Sequence, residues 1–233
     1  MTALQSPAAL SRRRFLVTAL AGTAATLIGA ASTGFLLPEP ALAQSNLTPD
    51  EALKALLDGN QRYIDGRFKS FDEDQQILRD HTVDKQEPFA AVLSCADSRV
   101  PVEIIFDQSI GHIFVARVAG NIINPEIIGS LEYGAAVLGT KVILVLGHSN
   151  CGAVHAAIAG KPVPGQISSL FPHLQPAVDQ AGPDLTATIK ANATIQATLL
   201  SKASTVLAPM VKEGKLKIVA GYYDLATGKV TLV

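Results

Sequence analysis

The chain contains two cysteines, and each lies in a short polar cluster whose residue types could do chemistry. The first cluster is Cys95-Ala96-Asp97-Ser98-Arg99, and the second is His148-Ser149-Asn150-Cys151-Gly152. Thiolates and a neutral imidazole are ligands that zinc prefers in proteins. Three protein ligands leave a fourth position open, which is the arrangement of catalytic rather than structural zinc. We therefore predict one Zn²⁺ per chain, held by Cys95, His148 and Cys151.

Asp97 and Arg99 are candidate catalytic residues beside this site. A carboxylate and a guanidinium form a charge-assisted pair that is often bidentate. Held by Arg99, Asp97 can accept a hydrogen bond from a water on the metal and orient it. Released by Arg99, the same carboxylate can become a fourth zinc ligand in a closed state. The alternative is a structural ion pair that only closes a turn.

The chemistry of such a site depends on a bound water. Zinc lowers the pKa of that water from 15.7 to about 7 in favourable sites. Two thiolates neutralise the formal charge of the ion, so a site with two cysteines is a weaker Lewis acid than one with three imidazoles. We therefore expect activity to rise toward alkaline pH.

The elements around the clusters are predicted from the apolar pattern. Phe89–Ser94 and Lys141–Leu146 are typical of buried strands, and helices are predicted over Val102–Asp107 and Gly152–Ala159. Apolar strands that alternate with helices favour an α/β fold with a parallel sheet covered on both faces, in three layers. The carboxyl ends of parallel strands share one edge, where ligands bind. This edge can bring the two clusters together.

The flanking regions complete the prediction. Thr48-Pro49-Asp50-Glu51 has the pattern of a capping box, and the helix that it begins is expected to end near Ile64. With a more polar helix over Asp72–Asp80, it forms an N-terminal helical arm. The remaining predictions are a strand over Ile113–Val118, a helix over Pro125–Leu138, a helical region over Gln166–Val211 with breaks at Pro172, Pro176 and Pro183, and a closing strand pair over Lys215–Tyr223 and Lys229–Val233.

Composition limits the class of partner. The chain is 48% hydrophobic and 17% charged, which suits a globular domain with a sizeable core. Its formal net charge is −1, and no basic run lies beyond the N-terminus. Nucleic-acid binding needs a clustered basic face, so we expect no nucleic-acid partner.

The N-terminus has the pattern of an export signal. Ser11-Arg12-Arg13-Arg14-Phe15-Leu16 resembles a twin-arginine signal, and it precedes an uncharged stretch, Val17–Leu37, and the small-residue site Ala41-Leu42-Ala43. We expect cleavage after Ala43, so that residues 1–43 are a signal peptide and residues 44–233 one catalytic domain. The protein would then reach the periplasm or an equivalent compartment, such as a thylakoid lumen. The alternative is a retained membrane anchor.

Three motifs together resemble the β-class carbonic anhydrases, from about Thr48 to the C-terminus. They are Cys95-Ala96-Asp97-Ser98-Arg99-Val100, Arg117-Val118-Ala119-Gly120-Asn121 and Gly147-His148-Ser149-Asn150-Cys151-Gly152. The resemblance implies the zinc ligands and the Asp97–Arg99 dyad given above. It also implies a four-stranded parallel sheet with an additional C-terminal strand, exchanged N-terminal helices, and a homodimer or higher even-numbered homo-oligomer. The implied reaction is the reversible hydration of carbon dioxide to bicarbonate and a proton.

Three further residues are candidates for lining the cleft. Gly120 and Asn121 follow a predicted strand and either line the site or only form a turn. Gly152 begins the helix after Cys151, and the N–H groups there are expected to lower the pKa of that thiol.

Two other functions stay open at this point. The same scaffold could hydrolyse carbon disulfide or carbonyl sulfide, which are also linear and apolar. Alternatively, the protein could be a non-catalytic zinc-binding or redox protein in which Cys95 and Cys151 form a disulfide.

Overall fold

The computed structural model describes residues 45–70 and 82–233. The predicted signal peptide, residues 1–43, and the predicted helix Asp72–Asp80 lie outside the described residues. In chain order, the elements are α1 (Pro49–Ile64), β1 (Ala90–Ser94), the single turn α2 (Val102–Ile105), β2 (Ile113–Arg117), α3 (Pro125–Glu132), β3 (Val142–His148), α4 (Gly152–Ala159), α5 (Phe171–Ala181), α6 (Leu185–Ala203), α7 (Leu207–Lys212), β4 (Lys217–Tyr223) and β5 (Val230–Leu232).

The five strands form one sheet in the order β2-β1-β3-β4-β5. The first four are parallel, and β5 is antiparallel to β4. This confirms the prediction of a four-stranded parallel sheet with one additional C-terminal strand. Because β1 and β3 are direct neighbours, with Ser94 opposite Leu146, the residues that follow both strands meet at one edge.

Helices cover both faces of the sheet, as predicted for three layers. Alternate side chains of β1 point to opposite faces, because side chains alternate along a strand. Val92 belongs to an apolar cluster with Leu56 of α1 and Ile105 of α2. Leu93 belongs to a second cluster with Leu131 of α3 and Leu200 of α6. The centre of the sheet is therefore fully buried, and the polar chemistry is confined to its edge.

Helix α1 begins with the predicted capping box. The side chain of Thr48 accepts a hydrogen bond from the Glu51 backbone N–H, and Glu51 accepts one from the Thr48 backbone N–H at 2.8 Å. Leu53 and Leu56 of this helix pack on the sheet of their own chain. The exchange of helical arms between subunits, which the resemblance implied, stays a prediction.

Two of the three predicted breaks in the C-terminal helical region are wrong. Pro172 lies in the first turn of α5, where its missing N–H has no helical partner to lose. Pro176 lies inside the same helix and removes one backbone hydrogen bond without ending it. The break at Pro183 is confirmed: Gly182 has φ +70°, and Asp184 caps α6 by accepting from the Ala187 N–H.

Two boundaries also differ from the prediction. The α-helix that was expected to reach Leu138 ends at Glu132. The chain then forms a π-helical turn over Tyr133–Val137. Strand β3 extends past Leu146 to His148, because Gly147 and His148 pair with β4. His148 is therefore the last residue of a strand rather than part of a loop.

Within residues 45–70 and 82–233, no helix has the length and apolar character needed to cross a bilayer.

Candidate metal centre

The three predicted ligands come from two neighbouring strands. Cys95 directly follows β1, His148 ends β3, and Cys151 is the N-cap residue of α4. Asn150 has φ +55°, which turns the chain sharply between His148 and Cys151. The sheet register therefore brings together residues that lie more than 50 positions apart in the sequence.

The ligand atoms of Cys95, His148 and Cys151 all lie within 4.8 Å of one another, and all three residues are buried. The two Sγ atoms are 4.0 Å apart. Two thiolates on one tetrahedral zinc, at Zn–S bonds of about 2.3 Å, are separated by about 3.8 Å. A disulfide would instead need about 2.05 Å. The spacing thus fits two ligands of one metal ion.

The orientation of the histidine supplies the second test of fit. Nδ1 of His148 lies 2.9 Å from the carbonyl oxygen of Ser149, so Nδ1 carries the proton and donates to that oxygen. Nε2 is then left with a lone pair. It is buried and has no hydrogen-bond partner among the described residues. A buried acceptor without a partner is costly, and a metal ion satisfies it.

The two thiols influence one another strongly. The hydrogen bond from Cys151 lowers the pKa of Cys95 to about 4. The same contact, together with burial, raises the pKa of Cys151 above its usual range. The N–H groups of Ala153 and Val154 in α4 lower the pKa of Cys151, as predicted for the start of this helix, although the effects of Cys95 and of burial are larger. The pair alone keeps one proton, whereas a divalent cation stabilises both thiolates.

Asp97 and Arg99 form the predicted bidentate pair. Nε of Arg99 donates to Oδ1 of Asp97 at 2.9 Å, and Nη2 donates to Oδ2 at 2.7 Å. The hydrogen bonds from Arg99 hold the pKa of Asp97 well below its usual range, so the carboxylate is ionised. Oδ2 of Asp97 lies 3.8 Å from Nε2 of His148. The carboxylate thus faces the metal ligands while Arg99 binds it.

A second arginine positions the backbone of the first cluster. Nε of Arg117, the last residue of β2, donates to the carbonyl oxygen of Cys95 at 3.0 Å, and its Nη2 donates to that of Asp97 at 2.5 Å. Arg117 therefore ties the end of β2 to the segment that follows β1. It belongs to one of the quoted motifs, but the sequence did not predict this contact.

Comparison with known proteins gives the family. The sequence model of a family described as carbonic anhydrase matches residues 90–230. A protein of Mycobacterium tuberculosis named carbonic anhydrase 2 is 35% identical over 198 residues, which are 80% of this chain and 94% of that protein. The chain belongs to the carbonic anhydrase family. A carbonic anhydrase of Mycolicibacterium smegmatis is 36% identical over the same shares of the two chains.

A solved structure assigns the class. The structure of a Coccomyxa β-carbonic anhydrase in complex with acetazolamide superposes with a TM-score of 0.63 and 26% sequence identity. It covers 78% of this chain and 86% of the Coccomyxa chain. The chain is therefore a β-class member of the family, as its motifs predicted.

The three candidate cleft residues occupy different positions in this β-class site. Gly120 is buried, and its N–H donates to Sγ of Cys95 at 3.3 Å. Asn121 is also buried, with φ +43°. Gly152 is exposed at the start of α4. Gly120 thus contacts a predicted metal ligand, and the roles of Gly120, Asn121 and Gly152 at the cleft stay predictions.

Sequence reasoning missed two kinds of residue around the ligands. The carbonyl oxygen of Ser149 accepts a hydrogen bond from His148. The Oγ of Ser149 accepts a second one, at 2.9 Å, from the Leu225 N–H in the turn after β4. Asn192 and Gln196 of α6 are buried polar residues that hold the loop after β2. Two amide side chains four positions apart in an Ala-rich helix could have indicated this contact, because polar residues on a buried helix face need hydrogen-bond partners.

Proposed function

We propose that this chain catalyses the reversible hydration of carbon dioxide to bicarbonate and a proton, with one Zn²⁺ bound by Cys95, His148 and Cys151. Membership of the carbonic anhydrase family supports the reaction. The observation that supports the zinc site most strongly is the buried, unpartnered Nε2 of His148 beside two thiols. When bound, the ion would act as a Lewis acid that makes a water nucleophilic near neutral pH.

Asp97 and Arg99 are proposed to orient the reacting water. Asp97 remains ionised through the neutral range because hydrogen bonds from Arg99 lower its pKa. An ionised carboxylate can only accept hydrogen bonds, so Asp97 can accept one from the water. This hydrogen bond would orient the water so that a lone pair of its oxygen points at the carbon of carbon dioxide. While Arg99 occupies both carboxylate oxygens, Asp97 is kept from becoming a metal ligand itself.

The surroundings of the ligands are apolar. Cys95 and Cys151 pack in one cluster with Ile122, Val154 and Leu174, all of which are buried. These side chains exclude water from behind the site and give a low dielectric in which the charges of Asp97 and the metal ligands act more strongly.

The alternative functions receive no comparable support. The family and its named relatives favour carbon dioxide over carbon disulfide or carbonyl sulfide. For a redox protein, the two sulfurs would have to approach from 4.0 Å to disulfide distance within a packed cluster.

The experiment that tests the function is a stopped-flow assay of carbon dioxide hydration by the purified chain. We expect rapid, zinc-dependent hydration that stops on chelation and returns when Zn²⁺ is added. The rate should rise from about pH 6 to about pH 9, because two thiolates make the metal a weak Lewis acid. Turnover of carbon disulfide but not of carbon dioxide would contradict the proposal.

We also propose that the protein is a homodimer or a higher even-numbered homo-oligomer. Among the described strands, β2 pairs only with β1, so the other backbone edge of β2 is available to a second copy of the chain. Tyr133, beside Phe114 of this strand, is 47% exposed, which adds apolar surface near that edge. Sedimentation equilibrium should give an even multiple of the monomer mass, and a monomer at micromolar concentration would contradict this proposal.

We further propose export through the twin-arginine route, with cleavage after Ala43. The support is the run Ser11–Leu16 and the small-residue site Ala41-Leu42-Ala43. Export would place the protein in the periplasm or an equivalent compartment. Cell fractionation and N-terminal sequencing should recover a chain that begins at Gln44, and replacing Arg12 and Arg13 by Lys should retain the precursor in the cytoplasm. A precursor that stays uncleaved in the membrane would support the anchor instead.

A further inference from the structure

A buried pair of amide side chains lies behind the metal centre. Asn192 and Gln196 are on α6, one helical turn apart, and each is 1% exposed. Nε2 of Gln196 donates to Oδ1 of Asn192 at 3.1 Å, and its Oε1 accepts from the Ile123 N–H at 2.9 Å. Nδ2 of Asn192 donates to the carbonyl oxygen of Gly120 at 2.8 Å. The two side chains thus hold both ends of the loop that follows β2.

The hydrogen-bond partners fix the orientation of both amides. The Ile123 N–H is a donor and must face Oε1 of Gln196, so Nε2 points toward Asn192. Oδ1 of Asn192 must then accept from Nε2, which leaves Nδ2 to donate to Gly120. A second contact from Nε2 of Gln196 to the His173 carbonyl, at 3.0 Å, supports the same orientation. The two amides therefore have a single orientation that satisfies all four of these contacts.

The loop in turn touches a predicted metal ligand. The Gly120 N–H donates to Sγ of Cys95 at 3.3 Å. Gly120 has φ +76°, and a Cβ there would lie 3.1 Å from Leu174 and 3.4 Å from Ala153. Gly120 is therefore held from both sides, by Cys95 through its N–H and by Asn192 through its carbonyl oxygen. A hydrogen bond to a ligand sulfur removes charge from the thiolate and fixes its direction.

We infer that Asn192 is a positioning residue of the metal centre, which holds the Gly120 N–H against Cys95 and thereby sets the charge and the orientation of that ligand. The inference rests on the proposed zinc site. Among the described residues, the Asn192 side chain hydrogen-bonds to Gly120 and Gln196, and not to a predicted ligand or to the Asp97–Arg99 pair. Its effect passes through one residue of the loop, Gly120, whose carbonyl it binds and whose N–H contacts Cys95.

The test compares Asn192→Leu with a control on the same helix. The control is Thr188→Val, because Thr188 is equally buried and its hydroxyl bonds only to the carbonyl oxygens of Gly182 and Asp184. Zinc affinity is measured by competition with a chromogenic chelator. The cobalt-substituted proteins are compared by their thiolate-to-cobalt charge-transfer absorption.

We expect Asn192→Leu to weaken zinc binding by about 10-fold to 100-fold and to shift the charge-transfer band. Thr188→Val should leave both unchanged even where it lowers the unfolding midpoint. Zinc affinity and an absorption band equal to wild type in a folded Asn192→Leu protein would overturn the inference. So would equal effects of the two substitutions.

A measurement on the wild-type chain keeps the inference testable if Asn192→Leu does not fold. In the ¹¹³Cd-substituted, ¹⁵N-labelled protein, scalar coupling between the Gly120 amide proton and the metal would demonstrate the N–H to sulfur hydrogen bond. Its absence would overturn the inference. If the wild-type chain binds no zinc, the proposed function fails; if it binds zinc and only the Asn192 effects are missing, the inference alone fails.

Discussion

The pairs Asp107–Arg62 and Asp97–Arg99 differ in what lies beside the carboxylate. Asp107 accepts from Nε of Arg62 at 2.5 Å, from the N–H groups of Lys69 and Ser70, and from the Ser70 hydroxyl at 2.8 Å. Its side chain is 0% exposed. Asp97 is 16% exposed and lies 3.8 Å from Nε2 of His148, which has no hydrogen-bond partner among the described residues.

This difference separates the structural carboxylate of Asp107 from the proposed catalytic carboxylate of Asp97. Burial raises the pKa of Asp107, but the hydrogen bonds from Arg62, Ser70 and Lys69 outweigh it, so the net pKa is lowered. The pKa of Asp97 is lowered mainly by Arg99. Both carboxylates are therefore ionised, and charge alone does not distinguish them. What distinguishes Asp97 is access to solvent and a neighbouring lone pair that needs a partner.

The largest expected effect is on activity, from Asp97→Asn. The amide presents a donor where the reacting water needs an acceptor, so we expect the kcat for carbon dioxide hydration to fall by about 100-fold or more. Stability should change by less than about 1 kcal/mol, because Arg99 is 51% exposed and such pairs contribute little. Stopped-flow kinetics at matched zinc content measures this. Near-normal turnover would make Asp97–Arg99 a structural pair.

Asp107→Asn should have the opposite profile. It leaves Arg62 without its partner and faces one amide N–H₂ toward the donors of the segment Lys69–Ser70. We expect a loss of about 3 kcal/mol in the free energy of unfolding, while the folded fraction keeps the wild-type kcat. Urea denaturation combined with the hydration assay tests both parts. A variant that is stable but inactive would place Asp107 in the catalytic machinery.

Exchanging the two arginines for lysine sharpens the comparison. Lys retains the charge but lacks the planar fork that binds both oxygens of Asp97. We expect Arg99→Lys to lower kcat by about 10-fold without a change in stability. Arg62→Lys should instead cost about 1 kcal/mol of stability and no activity. Activity loss in Arg62→Lys alone would reverse the assignment.

The smallest expected difference is in acid stability. Both carboxyl groups have a folded-state pKa below the ordinary value of about 3.9, so each contributes stability that is present above that pH and lost as pH falls through the folded-state pKa. Asp107→Asn removes one such contribution. Between about pH 5 and about pH 3, it should therefore lose less stability than the wild type. Urea midpoints of the variant and the wild type that fall in parallel as the pH is lowered would contradict this expectation.

The sequence predicted what depends on local pattern. The capping box at Thr48 and Glu51, the alternation of strands and helices, and the shared edge for Cys95 and His148 all follow from short-range rules, and the structure has them. Pro172 and Pro176 were misread, because whether a proline breaks a helix depends on its position from the first turn. That position was not fixed by the sequence.

Contacts between distant segments could not be predicted in the same way. Arg62 and Asp107 are 45 residues apart, and Gly120 and Asn192 are 72 apart. Nothing near Asp107 in the sequence indicates that its carboxylate accepts four hydrogen bonds. The partner of Asp97, in contrast, is an arginine only two positions away, so the sequence could predict that pair. The motifs therefore indicated the candidate catalytic and metal-binding residues, whereas the folded chain was needed to find the residues that hold them in place.

The central claim is that Cys95, His148 and Cys151 bind one zinc ion beside an ionised Asp97. Zinc K-edge X-ray absorption of the purified chain tests it most directly. We predict one zinc per chain with two sulfur ligands at about 2.3 Å and two nitrogen or oxygen ligands at about 2.0–2.1 Å. A protein without zinc, a zinc ion without sulfur ligands, or a disulfide between Cys95 and Cys151 in the native protein would contradict the claim.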